Sequence, residues 1–244
     1  MKILKNILLI LFIFTNISLA SNFEFDIVGS FGFSLDFSDT DGYYLPYSSL
    51  NGKREDLGYT ANVLLSIVRN DKILNETLTS ISSMFETRYN FYSSTRNADI
   101  LNENYNNSYA YNSIILGALF KLNFYNTISL GIGAGIFVPI SSKSIKPEDA
   151  LGKYGDITEF NHDKIAFMYK LPFMPYIKLN VEKYFYFSEK WAFKIGANLL
   201  YNFGMEFDMD KLGEGGAKYY AWDKYKFSSL VFEVFFGFGF GRPK

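Results

Sequence analysis

The chain has no cysteine, a single histidine and no long apolar run beyond its first 20 residues. Without cysteine, a small disulfide-stapled scaffold is excluded, and with it thiolate metal sites and cysteine nucleophiles. A bilayer-spanning helix needs about 20 consecutive apolar residues, and no later segment supplies them. Charge of one sign is missing too. Lys and Arg number 24 against 25 Asp and Glu, a formal net charge of −1 that gives no electrostatic case for nucleic acid. What is plentiful is aromatic, with 26 Phe and 19 Tyr. Such richness suits a chain that faces lipid and carries aromatic girdles at both membrane interfaces. A membrane protein without spanning helices must be a closed barrel, the other arrangement that satisfies every backbone polar group in lipid.

Residues 1–20 read as a secretory signal peptide. Lys2 and Lys5 precede an apolar run from Ile7 to Phe14, and Ser18-Leu19-Ala20 supplies a small-x-small cleavage pattern. The expected mature domain is residues 21–244, exported through the inner membrane.

That domain repeats an alternation of period two, the signature of strands rather than helices. In the first segment Phe23, Phe25, Ile27, Phe31, Phe33, Leu35 and Phe37 share a face opposite Glu24, Asp26, Ser30, Ser34 and Asp36. Further segments are expected near 58–69, 77–93, 107–124, 127–141, 164–182, 190–207 and 223–241. In the fifth, Gly131, Gly133 and Gly135 line the polar face and make room for bulky side chains from other strands. The sixth is read as one strand with Ile165, Phe167, Tyr169 and Leu171 on its apolar face, and Pro172 and Pro175 at a bulge. The connections alternate between short (70–76, 125–126, 183–189) and long and polar (38–57, 94–106, 142–163, 208–222). Outer-membrane barrels have this rhythm, with short periplasmic turns and long extracellular loops. The expected fold is therefore all-β: a transmembrane antiparallel up-and-down barrel of eight strands, with both termini in the periplasm. A soluble secreted sandwich or lipocalin-like barrel is the competing reading. It would have to pack dozens of Phe and Tyr inward while showing water a face rich in Gly, Ser and Asn.

With that architecture the chain resembles the small outer-membrane barrels of OmpA-transmembrane, OmpX and opacity-protein type. The resemblance rests on signal peptide, strand count, loop rhythm and final strand, not on a specific motif. It implies an outer-membrane location, contact with outer-membrane lipid, and handling by the barrel assembly machinery. The final strand looks like the family's assembly signal, here Phe236, Phe238 and Phe240 after Leu230, Phe232 and Val234; the tail Gly241-Arg242-Pro243-Lys244 departs from a terminal aromatic.

Chemistry is sparse. His162 beside Asp163 near the outer rim is a lone candidate base, and one residue is not a triad. Asp39-Thr40-Asp41-Gly42 opens like a calcium loop but lacks the distal glutamate. Asp208 and Asp210 are equally weak, and turn chemistry explains both sites better. No catalytic residue, metal site or cofactor is expected. The polar face carries Glu24, Asp26, Glu86, Arg88, Lys170, Lys178, Lys194 and Glu233, expected to form a charge network inside the lumen. That network is either a structural plug or the gate of a narrow conduit. Tyr43, Tyr44, Tyr47, Tyr154, Tyr219, Tyr220 and Trp222 in the loops are contact candidates for an extracellular ligand or interfacial girdle residues. The expected role is a non-enzymatic surface protein; a small-solute conduit and a lipid-modifying enzyme are the alternatives.

Overall fold

The computed structural model describes the backbone of residues 23–44, 48–49, 52–72, 76–100, 103–125, 127–145, 157–206, 208 and 220–241. Residues 1–20, the expected signal peptide, and Tyr47, Tyr154, Tyr219 and Asp210 lie outside the described residues. So do the side chains of Asp39, Asp41, Tyr43, Tyr44, Tyr220 and Trp222.

The strands are β1 Phe23–Tyr44, β2 Ser48–Ser49, β3 Gly52–Lys72, β4 Leu78–Ile100, β5 Glu103–Phe124, β6 Ile128–Ile145, β7 Ile157–Asn161, β8 Met174–Tyr186, β9 Trp191–Glu206 and β10 Tyr220–Phe240, with one short helix, α1 His162–Met168. Eight of them pair antiparallel in the order β10-β9-β8-β6-β5-β4-β3-β1, and β10 pairs β1 to close the wall. The turns β3–β4, β5–β6 and β8–β9 lie at the end of the barrel that holds Phe23 and Phe240. At the tightest of them Tyr125 takes φ 50°, and its N–H donates to the Thr77 carbonyl.

The stagger of the wall follows from its register. The ladder of partners Asp26, Ser66, Glu86, Gly117, Gly135, Tyr176, Asn202 and Ser229 returns to β1 at Asp36, ten residues above its start. Eight strands with that stagger tilt about 40° from the axis and set the backbone at a radius of about 8 Å. So narrow a cylinder is filled by side chains.

The outward face is apolar and bare. Phe85 is 69% exposed and Ile132 62%, in company with Phe33, Val63, Leu116, Leu179, Leu199 and Phe236. Roughly ten residues per strand carry this belt, which at the tilt given spans about 25 Å, the height of a barrel's lipid-facing band. A soluble barrel would hide these residues inside. The exterior is that of a membrane-spanning barrel.

Two expectations need correction. Among the described residues, two of the four expected long loops, 38–57 and 94–106, are largely strand. β1, β3, β4, β5 and β10 run 21 to 23 residues, so pairing continues well above the belt through much of 38–57 and 94–106. Above the membrane both faces of a strand meet water, so polar sequence there does not mean loop. The sixth segment is also not one strand. β7 pairs with the top of β6, α1 follows, and β8 begins only at Met174, with Pro175 opposite Ile136. Pro172 and Pro175 have no N–H to continue the ladder. Ile165 and Tyr169, four residues apart, instead share the buried side of α1 and the turn after it, packed with Met205, while Phe167 and Leu171 face outward. Gly204, at φ 77°, lets β9 turn Met205 inward to meet them.

An arginine at the middle of the belt should be costly. Leu179→Arg is expected to destabilise the barrel by about 2–4 kcal/mol. Tyr125→Arg, at the turn, should have little effect. Urea unfolding in lipid vesicles distinguishes the two.

Candidate functional site

Every strand of the wall sends alternate side chains inward, and the tilt sorts them into storeys. The lower ionic storey lies near the turn end. Lys194 of β9 reaches Asp26 at 2.7 Å and Glu24 at 3.3 Å, both on β1. Lys121 of β5 holds Glu182 of β8 at 2.7 Å, and the Tyr184 hydroxyl also donates to Glu182. Beneath them a chain of short polar side chains floors the lumen. Ser129 donates to Asn123, Asn123 to Ser82 at 2.6 Å, Ser82 to Asn70, and Asn70 to Glu24 at 3.4 Å.

The upper ionic storey stands about 10 Å higher, near the middle of the lipid belt. Arg88 of β4 bridges Glu233 of β10 at 3.0 Å and Glu86 at 2.9 Å. Lys178 of β8 adds a contact to Glu86 at 2.6 Å, and the Tyr176 hydroxyl donates to the same carboxylate at 2.8 Å. Glu233 accepts from Asn62 at 2.7 Å and Asn198 at 3.1 Å. Tyr176 lies where the neighbouring strands have no side chain. A β-carbon on Gly117 would stand 2.0 Å from its hydroxyl, and one on Gly135 2.6 Å from its ring. The glycine face of β6 thus does make room for a bulky residue from another strand.

Apolar storeys separate the charged ones. Val28, Leu64, Val68, Met84, Leu119 and Phe235 form the lower; Ile115, Phe137, Tyr176, Leu200 and Val231 form the upper. Within the lower lies a cavity with about 20 Å³ of room for water centres, bordered by charged groups of both ionic storeys and by Asn180 and Asn198. That is space for about one ordered water.

The structure brings together Glu86, Arg88, Lys178 and Glu233, and places Lys194 with Glu24 and Asp26 in a separate network. Lys170 is a correction. It follows α1, its side chain is 54% exposed, and it pairs outside the lumen with Glu206. Its assignment to the lumen assumed an unbroken sixth strand, and the helix removes that premise. Lys121, Glu182, Tyr176 and Tyr184 complete the networks and were not singled out. All four stand at polar-face positions of their segments, so parity alone would have found them.

His162 opens α1, and its Nδ1 donates to the Pro139 carbonyl at 2.8 Å. β6 bulges at that point, since Asn112 pairs with Ser141 but Ser113 with Pro139. The histidine therefore ties the helix to the bulge. Among the described residues, no group of three or more His, Asp or Glu stands at metal-binding spacing. At the turn end Phe236 and Phe238 face outward; Phe238 packs against Phe193 (centroids 5.7 Å) and Phe240 meets Trp191 at 4.1 Å.

The architecture is that of a closed, eight-stranded antiparallel transmembrane barrel. No protein-family model and no curated protein matches the chain. Solved structures similar to it include Ail, the attachment invasion locus protein of Yersinia pestis, in complex with the heparin analogue sucrose octasulfate (14% identity, 90% of this chain and 99% of that one, TM-score 0.35). Neisserial surface protein A is similar at 7% identity, 86% and 95% coverage and TM-score 0.37. The outer membrane protein OprG from Pseudomonas aeruginosa is similar at 11% identity, 90% and 96% coverage and TM-score 0.43. Likenesses this distant carry no argument about what this chain does.

Removing one member of the upper network leaves buried charge uncompensated. Arg88→Met is expected to cost about 3–5 kcal/mol of stability in urea unfolding. Lys170→Met, at an exposed pair, should cost about 1 kcal/mol or less.

Proposed function

We propose that the protein is a non-enzymatic barrel of a bacterial outer membrane that carries a tall extracellular strand wall for contact with ligands, host surfaces or other cells. The observation that carries this reading is the filled lumen. Two ionic and two apolar storeys occupy the axis, and the cavity among them holds about one water. A body built this way anchors and displays. The wall extends β1, β3, β4, β5 and β10 by many residues beyond what lipid requires. The aromatic final strand, with Phe236, Phe238 and Phe240, is consistent with handling by an outer-membrane assembly machinery. Tyr43, Tyr44, Tyr220 and Trp222 fall on the extended strands and remain the contact candidates.

A narrow conduit is the second reading, favoured by one feature: the cavity lies between the two charge networks. Planar-bilayer recording separates the readings. The purified barrel is expected to give no conductance steps, and a variant with residues 94–109 replaced by a short Gly-Ser turn should keep its heat-modifiable mobility but lose binding to cells. Reproducible steps that change with Glu233→Gln, together with undiminished cell binding by the shortened barrel, would establish the conduit instead.

A further inference from the structure

The two ionic storeys differ in charge balance. The upper one sets Glu86 and Glu233 against Arg88 and Lys178. Among the described residues, the lower one sets three carboxylates, Glu24, Asp26 and Glu182, against two ammonium groups, Lys121 and Lys194, all of them buried. Lys121 is engaged with Glu182, which also stands 3.8 Å from Lys194, and Lys194 is the cation in direct contact with both acids of β1. Lys121 and Glu182 complete the charged groups facing the cluster, and the other groups around it are neutral: Ser66 and Asn70 from β3 and Tyr184 from β8, whose ring lies 4.7 Å from the Lys194 Nζ. An uncompensated carboxylate in such a place is strongly unfavourable, and burial selects its neutralisation.

The geometry says where the missing positive charge sits. Asp26 Oδ2 accepts from both Ser66 (2.9 Å) and Lys194 (2.7 Å), whereas Asp26 Oδ1, fully buried, accepts from no donor. Glu24 and Asp26 stand two residues apart on the inward face of β1. They converge over Gly239 of β10. A β-carbon there would stand 2.8 Å from Glu24 Oε1 and 2.9 Å from Asp26 Oδ1. Glycine keeps that space open for the two oxygens to approach each other. Two carboxyl groups so close cannot both stay ionised in a dry interior.

We propose that Glu24 and Asp26 share one hydrogen ion, carried on Asp26 Oδ1 and donated to Glu24 Oε1 above Gly239. The proton is taken from solvent as the barrel closes, and it brings the lower storey to charge balance. Asp26 Oδ1 then has a partner, and Lys194 meets one net negative charge instead of two. The site goes beyond the surface role proposed above and does not depend on it.

Infrared spectroscopy of the full barrel in lipid reads the proton directly. The wild type at neutral pH should show a protonated-carboxyl C=O band that shifts in D2O. Asp26→Asn and Glu24→Gln should each abolish it while keeping heat-modifiability, because an amide N–H takes the place of the shared proton. Glu206→Gln, at the exposed pair, should leave the band unchanged. No band in the wild type overturns the proposal, as does a band that survives both lumen variants. Should either variant fail to fold, the wild type alone still decides. The folded state holds one more proton than the unfolded chain at neutral pH, so the temperature of heat modification should fall as pH is raised from neutral to alkaline. A flat profile, or stability that follows the identity of the monovalent cation with no carboxyl band, rejects the shared proton.

Discussion

Backbone closure in lipid is the constraint on which the rest depends. The hydrocarbon core offers no water to an unpaired N–H or C=O, so a sheet there must have no edge. The pairing of β10 with β1 removes the edge, and it runs the length of both strands from Phe25 and Phe240 up to Tyr44 and Tyr220. Once the wall closes with a ten-residue stagger, its radius is fixed, and the interior must be filled by whatever side chains the strands turn inward. The lumen networks are a consequence of that geometry before they are anything else.

Filling so narrow a space with charge demands mutual satisfaction. Each carboxylate of the upper storey is met by Arg88, with Lys178 and Tyr176 on Glu86 and two amides on Glu233. Such networks are high-stakes, since a partly satisfied one is worse than an apolar core. The lower apolar storey lies between them. Van der Waals filling and ionic pairing thus share one cylinder.

The lipid-facing half of this design is plain in the sequence, because lipid requires an apolar residue at every second position and gives a clear period of two. The inward half is less so. Val28, Leu64, Met84, Leu119 and Phe235 occupy positions that parity marks as inward, yet only the register shows that they fall at one height. The α1 segment was hidden by coincidence. Ile165, Phe167, Tyr169 and Leu171 stand at every second position, as one face of a strand would, although the helix and the turn after it bury Ile165 and Tyr169 and expose the other two. The upper wall was misjudged for another reason: outside the membrane, polarity is indifferent between strand and loop. Lys121 and Glu182 were legible by parity, but their partnership joins strands far apart in the sequence and depends on the stagger.

The storeyed interior also bears on how the wall finds its alignment. A slip of one residue between neighbouring strands would turn lipid-facing side chains inward, and the hydrophobic effect forbids it. A slip of two residues is different, because it leaves every outward residue outward, and the lipid cannot detect it. Inside, however, the same slip would slide Lys178 toward the level of the aliphatic layer and bring Phe235 toward that of the acids. The lumen therefore acts as a vernier. Lipid sets the parity of each strand, and the alternation of charged and apolar levels selects, among registers of equal parity, the one that is built.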